Sequence, residues 1–121
     1  MRSLRIAVFG VALSGLGLFT GAQAQNSNLG QQASQCFVIY KIAAGLPVNA
    51  SHKDDLVRLG GLMDRTMQDA GVGKPQFERW TDQLMKRIGT PDKPNRAELA
   101  RQVRTCNGFA KARYAHYSAR K

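Results

Sequence analysis

Acidic residues, histidines and cysteines are scarce in this chain of 121 residues, which has 8 Asp and Glu, 2 His and 2 Cys. No two carboxylates form a convincing acid–base pair, and neither histidine belongs to a cluster with metal-ligand spacing. No serine, threonine or cysteine stands in a nucleophile motif with a histidine and an acidic orienter. The sequence therefore predicts that the protein is not an enzyme and holds no metal or cofactor.

The two cysteines, Cys36 and Cys106, lack the neighbours that give cysteine its reactive roles. Neither the Cys-x-x-Cys redox motif nor the Cys-x-x-Cys-His motif for covalent haem attachment occurs. A non-covalent haem site in a four-helix bundle would want an axial Met or His near the start of the first helix, where the sequence has neither. A structural disulfide is the expected role for this pair.

The N-terminus has the three parts of a secretory signal peptide in order. Arg2 and Arg5 form a positive segment, residues 6–19 form an uncharged apolar run, and Ala-Gln-Ala at 22–24 is a small-x-small cleavage site. The apolar run is about 14 residues long, whereas a membrane-spanning helix needs roughly 20. We predict cleavage after Ala24 and export to the periplasm or out of the cell. A retained membrane anchor is the alternative.

Cleavage would leave residues 25–121, which are 97 residues and enough for one domain, with 25–28 as a flexible leader. The loss of Arg2 and Arg5 leaves 16 basic against 8 acidic residues, a formal net charge of +8. This charge favours anionic partners. Outside the cytosol such a partner is an acidic protein or an envelope surface, and no nucleic acid is expected. The alternative is that the charge only keeps the domain soluble.

Hydrophobic periodicity predicts four helices and no strand. The first covers about residues 29–44, and the second covers about 52–70 with Gly60-Gly61 as a kink, a close contact or a break. The third covers about 75–88 and the fourth about 96–118. The predicted N-caps are Asn28, Ser51 and Asn95, with Gln31, Asp54 and Glu98 in the capping-box positions.

The short connections predict an all-α antiparallel bundle of about four helices, in which the first and last helices are neighbours. Cys36 and Cys106 lie on the inner stripes of these two helices, and an oxidising compartment favours their pairing. The closed loop would include 71 residues, which corresponds to about 4 kcal/mol of stabilisation. Pairing between two chains is the alternative. The predicted inner stripe of the fourth helix is Leu99, Val103, Cys106, Ala110, Tyr114 and Tyr117.

Positive charge is densest in the last 26 residues of the chain. We therefore expect a non-catalytic binding module whose contact surface lies on the fourth helix and the tail. Tyr114 and Tyr117 either add an exposed contact patch to this surface or complete the core. The predicted partner-binding residues are Arg101, Arg104, Lys111, Arg113, Arg120 and Lys121.

Two other functions stay open. The plan of a signal peptide, two distant cysteines and helices resembles that of small envelope proteins such as acid-stress chaperones and secretion-system immunity proteins. A chaperone would expose apolar surface on partial opening, with Gly60-Gly61 as the weak point. The second alternative is a small enzyme built on residues such as His52 and Asp55, which would require a deep pocket near the histidine.

Overall fold

The computed structural model describes residues 11–119, with side chains described from residue 28 onward. Over this range the chain is helical and contains no β-strand, which confirms the all-α prediction. Arg2 and Arg5 of the predicted signal peptide lie outside the described residues. The helices are α1 (Val11–Gly45), a 3₁₀ helix η1 (Pro47–His52), α2 (Lys53–Asp69), α3 (Lys74–Ile88) and α4 (Arg96–Ala119).

The first helix is longer than the sequence predicted. It is already helical at Val11, the first described residue, so the expected start near Leu29 and the expected cap at Asn28 are wrong. Residues 25–28, predicted to be a flexible leader, continue the helix in the full chain. No proline interrupts residues 11–45, so the ladder of backbone hydrogen bonds continues and leaves no free N–H groups for Asn28 to cap.

Helix α1 is the central element, because it contacts α2, α3, α4 and η1. Its side chains Ala33, Ile39 and Tyr40 are fully buried. A helix covered on several sides is apolar around much of its circumference. This explains the run from 37 to 40, Phe-Val-Ile-Tyr, which taken alone resembles a strand. The other helices complete the core with Leu56, Met63, Leu84, Ile88, Leu99 and Ala110.

A disulfide between Cys36 and Cys106 joins α1 to α4 within one chain, as predicted, with 5.5 Å between the two Cα atoms. A second tie lies one turn further along α1, where the Tyr40 hydroxyl donates a hydrogen bond to Oδ1 of Asn107 at 2.8 Å. Burial raises the pKa of Tyr40 to about 12, so the phenol keeps the proton that it donates. The middle of α4 is therefore fixed to α1 by one covalent and one polar contact.

The inner stripe of α4 is narrower than predicted. Leu99, Cys106, Ala110 and Tyr117 are buried, and at 100° per residue they fall within about 40° of arc. Tyr114 is displaced by about 60° from Leu99 on the same projection and is 66% exposed. The prediction that Tyr114 faces the core is therefore wrong, because the seam between α4 and its neighbours covers only the central arc.

The N-terminal end of α2 differs from the prediction, whereas its C-terminal end agrees with it. Ser51 is not the N-cap, because it lies inside η1 and the cap position is His52, which makes no side-chain capping bond. The amide of Asn49 holds η1 in place by donating to the Ala43 carbonyl at 2.9 Å. At the other end Gly71 adopts φ +70°, and the Val72 N–H donates to the Met67 carbonyl at 3.1 Å, as in a Schellman motif.

The N-cap of α4 is confirmed, since Asn95 Oδ1 accepts a hydrogen bond from the Glu98 N–H at 3.0 Å. The reciprocal half of the predicted capping box is absent from the described residues. The Asn95 N–H donates instead to the Ile88 carbonyl at 2.7 Å, and the Glu98 carboxylate binds Arg101 and Gln102. Glu98 is therefore an ion-pair residue at the start of α4.

Candidate functional site

A groove of about 500 Å³ lies between the C-terminal end of α1, the 3₁₀ helix η1 and the first half of α4. Its buried floor is apolar and is made by Ala43, Leu46, Leu56 and Leu99. Helix α1 ends at Gly45, and η1 begins at Pro47, which lacks the backbone N–H that a continued α-helix would use. The rest of the lining is Val48, Asn49, His52, Arg96, Ala100, Val103 and Arg104.

The charged residues of this groove are all cationic. Arg96 and Arg104 are exposed and line it, and no Asp or Glu of the described residues does. Neither arginine has a carboxylate within ion-pair distance among the described side chains. Eight residues separate the two on one helix, which is about 12 Å along its axis. An apolar floor beneath two unpaired guanidinium groups is suited to a ligand with an aliphatic part and an anionic end.

The predicted partner-binding residues fall into four groups. Arg104 and Lys111 are exposed, are seven residues apart and share one side of α4; we call this pair the basic face. Arg101 is exposed but is bound by Glu98. Arg113 is half-buried and donates to the Tyr117 hydroxyl at 3.5 Å. Arg120 and Lys121 lie outside the described residues.

The pair of Glu98 and Arg101 is the main local electrostatic feature of α4. Arg101 Nε donates to Glu98 Oε1 at 3.0 Å, and the Gln102 amide donates to the other carboxylate oxygen at 2.9 Å. These hydrogen bonds, from Arg101 first and then from Gln102, lower the pKa of Glu98 to about 2. The same contact raises the pKa of Arg101. Glu98 is the only carboxylate side chain on α4, and it therefore neutralises Arg101 and leaves Arg104 and Lys111 uncompensated.

The two tyrosines near the end of α4 have different roles. Tyr117 is buried and completes the core, with Arg65 of α2 stacked 3.8 Å from the ring centroid. Tyr114, which follows Lys111 by three residues, is exposed. Of the aromatic contact patch considered from the sequence, Tyr114 alone is at the surface. Arg113 belongs with Tyr117, since its guanidinium lies 5.1 Å from that ring.

The two histidines lie in different places in the described part of the chain, one at the groove and one near the end of α4. His52 is exposed and lines the groove, so the pocket that the enzyme alternative requires lies beside this histidine. Asp55, its proposed partner, does not line the groove, and its carboxylate is bound by Arg58. His116 is exposed and meets the ring of Tyr117 edge-on at 5.2 Å between centroids. Among the described residues, no three His, Cys, Asp or Glu side chains are grouped so as to hold a metal ion. No helix within residues 11–119 has the length and apolar character needed to cross a membrane.

No protein family, curated protein or solved structure matches this chain. The candidate site is therefore supported by the residues of this chain alone.

Arg104 and Lys111, which the sequence predicted to bind a partner, are exposed, and their binding role stays a prediction. The sequence did not predict the groove. Leu46, Val48 and Arg96 were not singled out, because they lie at the end of one helix, in a short 3₁₀ turn and at the start of another helix. A 3₁₀ helix of six residues has no periodic signature. The usable signal was Pro47 after a long apolar helix, since it requires a change of direction there.

Proposed function

We propose that this chain is exported, is processed after Ala24, and acts as a non-catalytic binding module for an anionic partner in the periplasm or outside the cell. The partner is an acidic protein or the anionic surface of the envelope. The disulfide between Cys36 and Cys106 is compatible with an oxidising compartment outside the cytosol. The formal net charge of +8 for residues 25–121 supports an anionic partner.

The basic face is the observation that carries this proposal. Arg104 and Lys111 are exposed, and no carboxylate side chain of the described residues is within ion-pair distance of either. Uncompensated cations on one side of a rigid helix attract and orient anions, and the contact weakens as salt screens it. The disulfide and the Tyr40–Asn107 hydrogen bond hold this part of α4 against α1. The face is therefore preorganised.

The test uses the oxidised protein recovered from the periplasm, with its N-terminus fixed by mass spectrometry at Gln25. One arm measures cosedimentation with phosphatidylglycerol vesicles and with neutral phosphatidylcholine vesicles over a range of salt concentrations. The other arm measures salt-dependent capture of acidic proteins from an envelope extract. The variant Arg104→Glu/Lys111→Glu removes the basic face. Its matched control is Arg79→Glu/Lys86→Glu, which makes the same charge change on exposed positions of α3.

We expect binding in at least one arm to fall by about tenfold or more for the α4 variant and to change little for the α3 control, since two screened charge contacts are lost. Equal losses in both variants would mean that only net charge matters. Binding that does not respond to salt in either arm would overturn the proposal. An N-terminus before Gln25 would overturn the predicted processing.

A further inference from the structure

We propose that the groove between α1, η1 and α4 binds a long-chain fatty acid, with its alkyl chain on the apolar floor and its carboxylate on Arg96 and Arg104. This inference rests on the proposed function, because it names the chemistry of one anionic ligand beside the basic face. Four buried apolar side chains lie beneath the open groove. Two guanidinium groups, unpaired among the described side chains, lie at its edge.

The floor of the groove favours an alkyl chain over a peptide. Ala43, Leu46, Leu56 and Leu99 line the groove and have hydrocarbon side chains. A peptide strand laid on this surface would bury N–H and C=O groups without partners, and each such group is costly. An alkyl chain has no polar atoms to satisfy. The volume of about 500 Å³ lies within the range of roughly 300–1,000 Å³ that is typical of small-molecule sites.

The edge of the groove favours a carboxylate head group over a neutral or cationic one. Arg96 and Arg104 are exposed, and the guanidinium group matches a carboxylate with two parallel hydrogen bonds. The nearest acid on the same helix, Glu98, does not line the groove and is bound by Arg101. The described lining of the groove therefore offers a carboxylate two arginines, about 12 Å apart along the axis of α4, and no competing acid. A cationic amphiphile of equal length meets repulsion.

The test is isothermal titration calorimetry of the oxidised, exported protein with dodecanoate below its micellar concentration. Octanoate tests chain length, and dodecyltrimethylammonium tests the sign of the charge. We expect dodecanoate to bind, the cationic amphiphile to bind at least about tenfold more weakly, and affinity to fall by up to about fourfold for each methylene group removed.

Two pairs of variants locate the site. Arg96→Gln/Arg104→Gln removes the proposed head-group contacts, and Arg79→Gln/Lys86→Gln makes the same charge change on α3. Ala100→Trp fills the groove from its exposed edge, and Ala112→Trp places the same side chain on α4 outside the groove. We expect the first member of each pair to weaken dodecanoate binding by about tenfold or more, because a charged hydrogen bond or the apolar contact is lost. The control members should bind as the parent protein does.

The outcomes separate this inference from the proposed function. Absence of dodecanoate binding, or equal binding by the Arg96→Gln/Arg104→Gln variant and its control, would overturn the fatty-acid site. Binding of anionic vesicles or acidic proteins through Arg104 and Lys111 would then still support the proposed function. Dodecanoate binding without any response of those partners to the basic-face variant would support the groove and contradict the broader proposal.

Discussion

The hydroxyl of Tyr117 donates a hydrogen bond to the carboxylate of Asp69, and this contact joins the last part of α4 to the last residue of α2. The ring of Tyr117 is buried between two arginines, Arg65 of α2 and Arg113 of α4, whose guanidinium carbons lie 3.8 and 5.1 Å from its centroid. The disulfide fixes the middle of α4, whereas this cluster fixes its far end against a second helix. Helix α4 is therefore held against its neighbours at two places, its middle and its far end.

Replacement of Tyr117 by Phe should reduce the free energy of unfolding by about 1 kcal/mol, because the hydrogen bond to Asp69 and the long one from Arg113 are lost while the exposed Asp69 becomes hydrated again. Tyr117→Ala should cost about 3 kcal/mol, since the buried ring and its cation–π contacts are lost as well. Urea unfolding measures both values. Tyr114→Phe is the matched control and should change stability by less than about 0.5 kcal/mol. A larger effect at Tyr114 than at Tyr117 would contradict the assigned roles.

Removal of the disulfide by Cys36→Ala/Cys106→Ala should lower the free energy of unfolding by about 4 kcal/mol, because the unfolded chain regains the freedom of a long loop. The sequence separation of 70 makes this loop most of the folded domain. Reduction of the parent protein with dithiothreitol should lower the urea midpoint to a similar extent. A disulfide-linked dimer on a non-reducing gel, or a loss below about 1 kcal/mol, would contradict a stabilising bond within one chain.

The helices could be predicted because their apolar residues recur at helical spacing and their ends carry glycine, proline or Asn95. The predicted ends of α3 and the predicted start of α4 lie within one residue of the observed ones. Helical periodicity also placed Cys36 and Cys106 on facing stripes, which is why their pairing could be predicted. The antiparallel order of neighbours stays a prediction.

The groove and the continuation of α1 through Asn28 could not be predicted for physical reasons. Asn28 can act as an N-cap only if a helix begins there. Local sequence does not show that the helix instead continues through this residue. The groove is formed by parts distant in sequence, from Leu46 to Arg104, and its shape depends on how η1 packs. Tyr114 was misplaced because periodicity gives a direction on the helix but not the width of the covered seam.

Replacement of a glycine of the pair in α2 by alanine should stabilise the fold, since α2 runs without a break through Gly60 and Gly61. A β-carbon on Gly61 would meet no heavy atom within 4 Å. Gly61→Ala should therefore raise the free energy of unfolding by about 0.5–1 kcal/mol in urea. Gly89→Ala is the contrasting variant and should destabilise by more than about 1 kcal/mol, because Gly89 has φ +87° and the Lys93 carbonyl lies 2.9 Å from the added carbon. Destabilisation by Gly61→Ala would mean that α2 needs flexibility there.

The ion pair of Glu98 and Arg101 should make stability depend on acid. The pKa of Glu98 falls from its ordinary value of 4.5 to about 2 in the folded chain, so the unfolded chain takes up a proton first as the pH drops. The contribution is complete above about pH 5 and is lost between about pH 4.5 and pH 2. Urea unfolding of Glu98→Gln at several pH values should show a lower free energy of unfolding than the parent protein. This deficit should be largest near neutral pH, shrink to nothing near pH 2, and weaken with salt.

Glu78→Gln, an exposed position on α3 with no ion-pair partner among the described side chains, is the control and should show no such pattern. A deficit for Glu98→Gln that stays constant from pH 7 to pH 2 would mean that the side chain stabilises α4 by packing and not by its charge.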